Sequence, residues 1–402
     1  MNYSQNINST ISPFSLTAEN VTLDAITPNS WVEINGQAIQ NNITQFKQFI
    51  GADKTLGIVI KSNAYGHGML QVSQLCQNHP DVDYLLVAHV SEAIDLRKAG
   101  ITKKILLVSP ARDNLDAAAY YECDIMVTDK DILNRLQTIG VQLQKKIAIH
   151  LKVDTGLSRF GFAPEEIISL LHFVKTLPMI TVAGIYTHFA ESNNSDLSFT
   201  HKQENSFTTL LSSIKDAGFV LPFHHHSNTA ATTALAHHKV NFFRMGAGTY
   251  GIWPSEANHA LVTEKKYPIS LMPALEWKTK IIHIKTVQAK SFIGYNRTYQ
   301  ADKDMKIAII PVGYYDGYDK RLSNKGFVYL KGKNAPIVGT IAMNATTIDI
   351  TDIPDAQLDD IVTLVGHYPQ ITPAELAIQT GCLNARQITA QINPCIPRII
   401  VD

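Results

Sequence analysis

Between Leu56 and Gly246 the chain carries eight short apolar runs: "LGIVIK", "YLLVAH", "KILLVS", "DIMVT", "IAIHLKV", "VAGIYTHF", "FHHHS" and "FFRMG". Longer amphipathic stretches separate them, such as "SEAIDLRKAG", for which Ser91 is a natural N-cap, and "PEEIISLLHFVKTL", opened by Pro164. Apolar runs of this kind fit strands buried on both faces. Eight strand–helix units in series predict a (β/α)8 TIM-type barrel. The competing doubly wound sheet lacks a GxGxxG after any strand. From about Pro268 the pattern changes to "WKTKIIHIKTV", "KIAIIPVG", "FVYLKG", "APIVGTIAM", "TTIDI" and "DIVTLVG". These runs are short, β-branched and punctuated by glycine or proline, which predicts a mostly antiparallel β domain. One helix joins it, "ITPAELAIQ", with Thr372 at the N-cap, Pro373 at N1 and Glu375 at N3. The expected organisation is a polar leader over 1–28, the barrel over 29–265 and the β domain over 266–402. The fold class is α/β.

Charge narrows the function. Thirty-five basic residues balance thirty-five acidic ones, so no net field draws in nucleic acid or an anionic membrane. A small molecule is the expected partner. No apolar run is long enough to span a bilayer, and the first thirty residues lack a basic n-region and an apolar h-region. The chain therefore reads as cytoplasmic, or periplasmic if a signal peptide has been removed. Cys76, Cys123, Cys382 and Cys395 form no CxxC pair; reduced structural thiols are expected, with one disulfide left open.

Catalytic groups of a barrel sit at the C-terminal ends of its strands. Lys61 ends the first run in "VIKSNAYGHG"; alone it reads as a lysine snorkelling out at a strand end. Partly desolvated, it is also the residue type that forms Schiff bases. Arg159 follows the fifth run in "KVDTGLSRFG", and His188 closes the sixth in "IYTHFA". Asn228 and Thr229 follow the seventh, Gly246 and Ala247 the eighth, and small residues there suit a phosphate cradle. A Schiff-base lysine with a phosphate cradle points to pyridoxal 5′-phosphate. The run His224–His226 suggests a metal, but alternation along a strand splits it between two faces, so no metal site is expected. Tyr186, Phe189 and Tyr250 read as packing residues.

The blocks "VIKSNAYGHG", "HLKVDTGLSRFGF", "IYTHFAES", "HHSNTAA", "FRMGAGTYG", "GYNRTY", "PVGYYDGY" and "VGTIAMN", in this order from about Trp31 to Arg398, resemble the alanine racemase family. The resemblance implies a homodimer with active sites shared across the subunit interface, interconverting L- and D-alanine and supplying D-alanine for peptidoglycan. It implies that Lys61 holds the cofactor and is the D-side base, and that Tyr295, from the second subunit, is the L-side base. It makes Tyr65 and Thr229 phosphate ligands, helped by Asn228 and the backbone of Gly246 and Ala247. His188 would lie beside the pyridine ring and Arg244 would face its nitrogen. Arg159, Tyr314 and Met343 would contact substrate, and Lys152 would be a carbamylation site supporting Arg159. Pro394, in "INPCIPR", stands where the family usually has a tyrosine near phosphate and substrate; Ala342 and Asn344 replace its usual cysteine and aspartate. "AMN" and "NSWVEI" look like the broad-spectrum amino-acid racemases, whereas Lys152 and "DTGLSRFG" look like the strict alanine branch. The rivals are a decarboxylase of the same layout, a non-catalytic carrier of pyridoxal phosphate and a cofactor-free barrel hydrolase.

Overall fold

The computed structural model describes residues 28–235 and 239–402. The expected leader lies outside them, apart from Pro28. Strand β1 is Ser30–Asn35. The barrel strands are β2 (Thr55–Val59), β3 (Tyr84–Val87), β4 (Lys104–Leu107), β5 (Cys123–Val127), β6 (Ile147–Lys152), β7 (Ile180–Tyr186), β8 (Phe223–His225) and β9 (Phe242–Met245). They pair in parallel in the order β8-β7-β6-β5-β4-β3-β2-β9. The barrel is nearly closed, the β8–β9 seam being bridged where Asn241 N donates to His224 O at 3.3 Å. All eight apolar runs are barrel strands. "SEAIDLRKAG" forms a helix two residues earlier than expected: it spans Val90–Lys98 with His89, not Ser91, at the N-cap. The reason is Glu92, whose carboxylate accepts from the Ala88, His89 and Ser62 backbone N–H groups and so sets the helix start.

The second domain holds a six-stranded sheet, with β10 (Leu275–Lys280), β15 (Phe327–Leu330), β16 (Lys333–Pro336), β18 (Ile361–Val365) and β19 (Arg398–Val401) joining β1 in the order β16-β15-β18-β10-β1-β19. A three-stranded sheet orders β11 (His283–Val287), β14 (Met305–Ile310) and β17 (Thr346–Asp349) as β11-β14-β17, and β12 (Phe292–Ile293) pairs with β13 (Tyr299–Gln300). "APIVGTIAM" is a strand only through Pro336; Ile337 makes one isolated bridge to Ile348 and the rest is loop. Thr372 caps helix Pro373–Thr380 as its sequence indicates, accepting from Glu375 N. No helix among the described residues is long and apolar enough to cross a membrane.

β1 belongs to this second sheet although it precedes the barrel, antiparallel to β10 and parallel to β19. Its last residue, Asn35, is at once the N-cap of helix Gly36–Ile50, accepting from Ala38 N at 2.7 Å. That helix buries Ile39, Ile43, Phe46 and Ile50, spaced for one face, against the barrel. Its fully buried Asn42 clasps the inter-domain segment in two bonds of 2.8 Å, donating to Met272 O and accepting from Met272 N. A buried amide satisfied on both sides fixes how the two domains meet.

Candidate active site

At the mouth of β2 the chain does something unusual. Ser62, Asn63, Ala64 and Tyr65 all have positive φ, between 53° and 56°. Four consecutive L-residues in the left-handed region cost roughly 1–2 kcal/mol each, so neighbours must hold them. Glu92 accepts from Ser62 N at 2.7 Å, Asn63 Oδ1 accepts from Met69 N at 2.8 Å, and Arg398 Nε donates to Gly66 O at 3.1 Å. The turn swings Lys61 and Tyr65 toward one cavity of about 170 Å³. Gly66 ends it at φ +87°, where a Cβ would lie 1.9 Å from Thr389 O of the second domain. Gly66→Ala is therefore expected to destabilise the protein by more than about 2 kcal/mol. Gly100→Ala, at φ +82° with open space around it, costs only about 1 kcal/mol. Denaturant midpoints of the two variants separate the clash from the conformational strain.

The cavity is lined by Lys61, Tyr65, Lys152, Arg159, His188, Asn228, Thr229, Arg244, Gly246 and Ala247, which brings ten of the expected residues together. Thr229 Oγ1 accepts from the backbone N–H groups of Gly246 (3.1 Å) and Gly248 (3.2 Å), folding the β8 and β9 loops into one concavity. A Cβ on Gly246 would stand 2.7 Å from the Tyr65 hydroxyl, so only glycine leaves that cradle open. The Tyr65 ring rests on Tyr250 at 5.1 Å, and Tyr250 Oη is anchored on Val59 O at 2.7 Å. A phosphate monoester fits this concavity of hydroxyls and loop amides.

Arg244 is buried and donates to Thr187 O (3.0 Å) and His226 O (3.3 Å), and its guanidinium meets His188 Nδ1 at 3.1 Å and His225 Nδ1 at 2.7 Å. Arginine can only donate, so both ring nitrogens accept. His225 then carries its proton on Nε2 and donates it to His150 Nδ1 at 2.8 Å, while His150 Nε2 faces Asp124 Oδ2 at 3.4 Å. The barrel interior is thus a polar file from Asp124 to Arg244 rather than the usual apolar layers. Burial first and the Arg244 charge second hold the His188 and His225 imidazoles far below their ordinary pKa, so both are neutral. The His225 ring stacks on Tyr186 at 4.5 Å, and of the histidine run the His225 ring and the His226 carbonyl meet Arg244. Among the described residues no three His, Cys, Asp or Glu side chains converge on a point.

Burial lowers the Lys61 amine, and the Arg159 charge adds to it. Burial, then Arg244, brings Lys152 down to about 7; its Nζ donates to Val153 O at 2.7 Å. Both lysines are thereby moved toward the neutral form, in which an amine can act as nucleophile or base.

Tyr295, Tyr314 and Met343 do not line this cavity; they stand on the second domain, 69%, 42% and 55% exposed. Thr340 Oγ1 reaches Tyr295 O at 3.3 Å, and Tyr314 N and Tyr315 N donate to Ala342 O and Met343 O, so the three share one surface. Pro394 is not in the cavity either. It borders a separate surface groove with Leu70, Asp95 and Lys98. The second-domain residue that enters the cavity is Arg386, which the sequence analysis missed. Its only local signal is the helix start "NAR", where Asn384 caps Arg386 N at 3.2 Å. All four cysteines are free thiols.

Residues 34–254 match the family description "Alanine racemase, N-terminal domain" and residues 274–400 match "Alanine racemase, C-terminal domain". An alanine racemase of Methanococcus maripaludis is 36% identical over 374 residues, spanning 92% of this chain and 98% of that protein. The solved alanine racemase of Clostridium difficile 630 superposes with a TM-score of 0.87 at 30% identity, covering 94% of this chain and 96% of its own. That of Bacillus anthracis with bound L-Ala-P gives 0.85 at 32% identity, with the same two coverages.

Proposed function

Since the chain belongs to the alanine racemase family, we propose that it interconverts L- and D-alanine with pyridoxal 5′-phosphate, as a homodimer whose active sites are shared between subunits. One observation carries this reading: Lys61 and the Thr229–Gly246 cradle open into the same cavity, whose lining holds five basic side chains and no carboxylate. Such a cavity suits a dianionic cofactor and an amino-acid carboxylate. The cofactor, when bound, supplies an electron sink for the bond to the substrate Cα proton.

The protein's own residues do the rest. Tyr65, Thr229 and the Gly246 and Ala247 backbone would hold the phosphate, with Asn228 ordering the loop by accepting from Ala231 N at 2.9 Å. Neutral His188 would pack beside the cofactor ring. Arg244, fixed as a donor by its histidine file, would meet the ring nitrogen and disfavour its protonation. Lys61 and Tyr295 move the Cα proton from opposite faces, one base per face. Tyr295, Tyr314 and Met343 form an exposed patch of large side chains outside the cavity of their own chain, which supports their serving the partner's site. Arg159, at the mouth over the Phe160 ring, meets the substrate carboxylate.

Lys152 we read as a carbamylation site. Its neutral amine adds carbon dioxide and releases one proton, and the resulting carbamate is an anion among cations. The amine is protonated as pH falls below about 7, so the modification is lost on that side. The intact mass near pH 8 is expected to exceed that of the chain by one carbon dioxide, and Lys152→Gln abolishes the increment. An unmodified mass under gentle conditions leaves Lys152 as a simple buried amine.

The function itself is tested by incubating the purified protein with L-alanine, L-serine and L-lysine in D2O. Exchange at Cα with decay of optical rotation, fastest for alanine, supports the reading. Release of carbon dioxide makes the protein a decarboxylase, and absence of exchange makes it a carrier.

A further inference from the structure

Five basic side chains line the cavity, and four have tasks in the reaction just described: Lys61, Lys152, Arg159 and Arg244. We propose that the fifth, Arg386, is the counter-charge of the cofactor's phosphate, supplied by the second domain to a cradle whose other donors are neutral. The proposal rests on the pyridoxal phosphate reading and adds a ligand to it.

Placement comes first. Arg386 lies on the helix Ala385–Ala390, and the same helix presses Thr389 O against Gly66, at the end of the left-handed turn that carries Tyr65. The guanidinium is held as well as placed. Asn384 Oδ1 accepts from both Arg386 N (3.2 Å) and Arg386 Nε (3.0 Å), which pins the fork at its root through Nε rather than through its Nη donors. No carboxylate in the lining neutralises it. Its charge acts on the Tyr65 phenol: burial raises that phenol's pKa, and Arg386 opposes the rise. Tyr65 marks the phosphate end, since its hydroxyl borders Gly246.

Chemistry then favours a guanidinium here. A phosphate monoester carries about −1.5 to −2 charges at neutral pH. Tyr65, Thr229 and the two loop amides offer hydrogen bonds but no compensating charge, and burying such an anion without a cation is costly. Arginine's planar fork matches phosphate oxygens in pairs. Arg244 is committed elsewhere, its Nη groups meeting Thr187, His188, His225 and His226 in the histidine file.

The test measures binding of pyridoxal 5′-phosphate and of pyridoxal, which lacks the phosphate, to cofactor-stripped full-length protein by absorbance. Arg386→Met is expected to weaken pyridoxal phosphate by roughly ten- to a hundred-fold and leave pyridoxal unchanged. Arg386→Lys, which restores charge without the fork, should recover part of the loss. If both ligands weaken together the role is structural, and if neither does the guanidinium is idle; either result overturns the proposal. A shift confined to the alanine KM makes Arg386 a substrate ligand and also overturns it. A wild-type protein that binds neither ligand overturns the cofactor reading itself, and the counter-charge with it.

Discussion

Lys61→Ala abolishes racemisation, by more than roughly 10⁴-fold, in a protein that still folds. The size of the effect follows from two roles in one side chain. A positioned acid–base group is worth roughly 10²–10⁴-fold, and loss of the covalent attachment adds to that. Folding survives because the substitution removes a partly buried cation from a cavity that has no acid to pair with it. Polarimetry with L-alanine measures the loss, and near-ultraviolet circular dichroism confirms the fold. Borohydride reduction of the wild-type holoenzyme followed by peptide mapping should place the label on Lys61. A label on Lys152, whose amine shares the cavity and is also shifted toward neutrality, would transfer the role to that residue.

Tyr295→Phe is expected to lower racemisation by roughly 10²–10⁴-fold while leaving the cofactor bound and its visible spectrum unchanged. Nothing in the phosphate cradle or the Arg244 file touches Tyr295, which stands 69% exposed on the second domain. It is followed by a left-handed pair, Asn296 at φ +58° and Arg297 at +52°. The informative experiment is complementation. A hybrid dimer of the Lys61→Ala and Tyr295→Phe chains contains one site with both residues intact. Random pairing makes half of the dimers hybrid, so activity should return to roughly a quarter of wild type. Recovery to zero after demonstrated subunit exchange would mean that both bases come from one chain.

What could be read from residues alone divides along a physical line. The eight barrel strands are local signals: each is a run of apolar side chains whose burial on both faces is dictated by its own composition. Strand ends carry the chemistry, so Lys61, His188, Thr229 and Gly246 were legible as soon as the runs were counted. β1 was not. "SWVEIN" sits where a first barrel strand would be, yet its partners are β10 and β19, and nothing within the six residues encodes a pairing so distant. The positions of Arg386 and Pro394 are hidden from the sequence for the same reason. Both lie near the C-terminus, and only the packing of the second domain on the Gly66 turn decides that Arg386 enters the cavity and Pro394 stays outside. The Ser91 cap was displaced by Glu92, a side chain that also reaches across to Ser62 and so answers to the active-site turn as well as to its own helix.

The position of β1 between β10 and β19 sets the order in which a ribosome can complete this molecule. Ser30 and Trp277, hydrogen-bonded at 2.8 Å in the finished sheet, are 247 positions apart in the chain. At ordinary rates of synthesis β1 therefore emerges some tens of seconds before its first neighbour. Its second neighbour, β19 at Arg398–Val401, is made later still. Arg398 is also the residue that ties down Gly66 O and with it the left-handed turn bearing Lys61. A nascent chain can thus have its barrel complete and still lack its catalytic mouth. Activity waits for Arg398, made 332 positions after the Gly66 it holds.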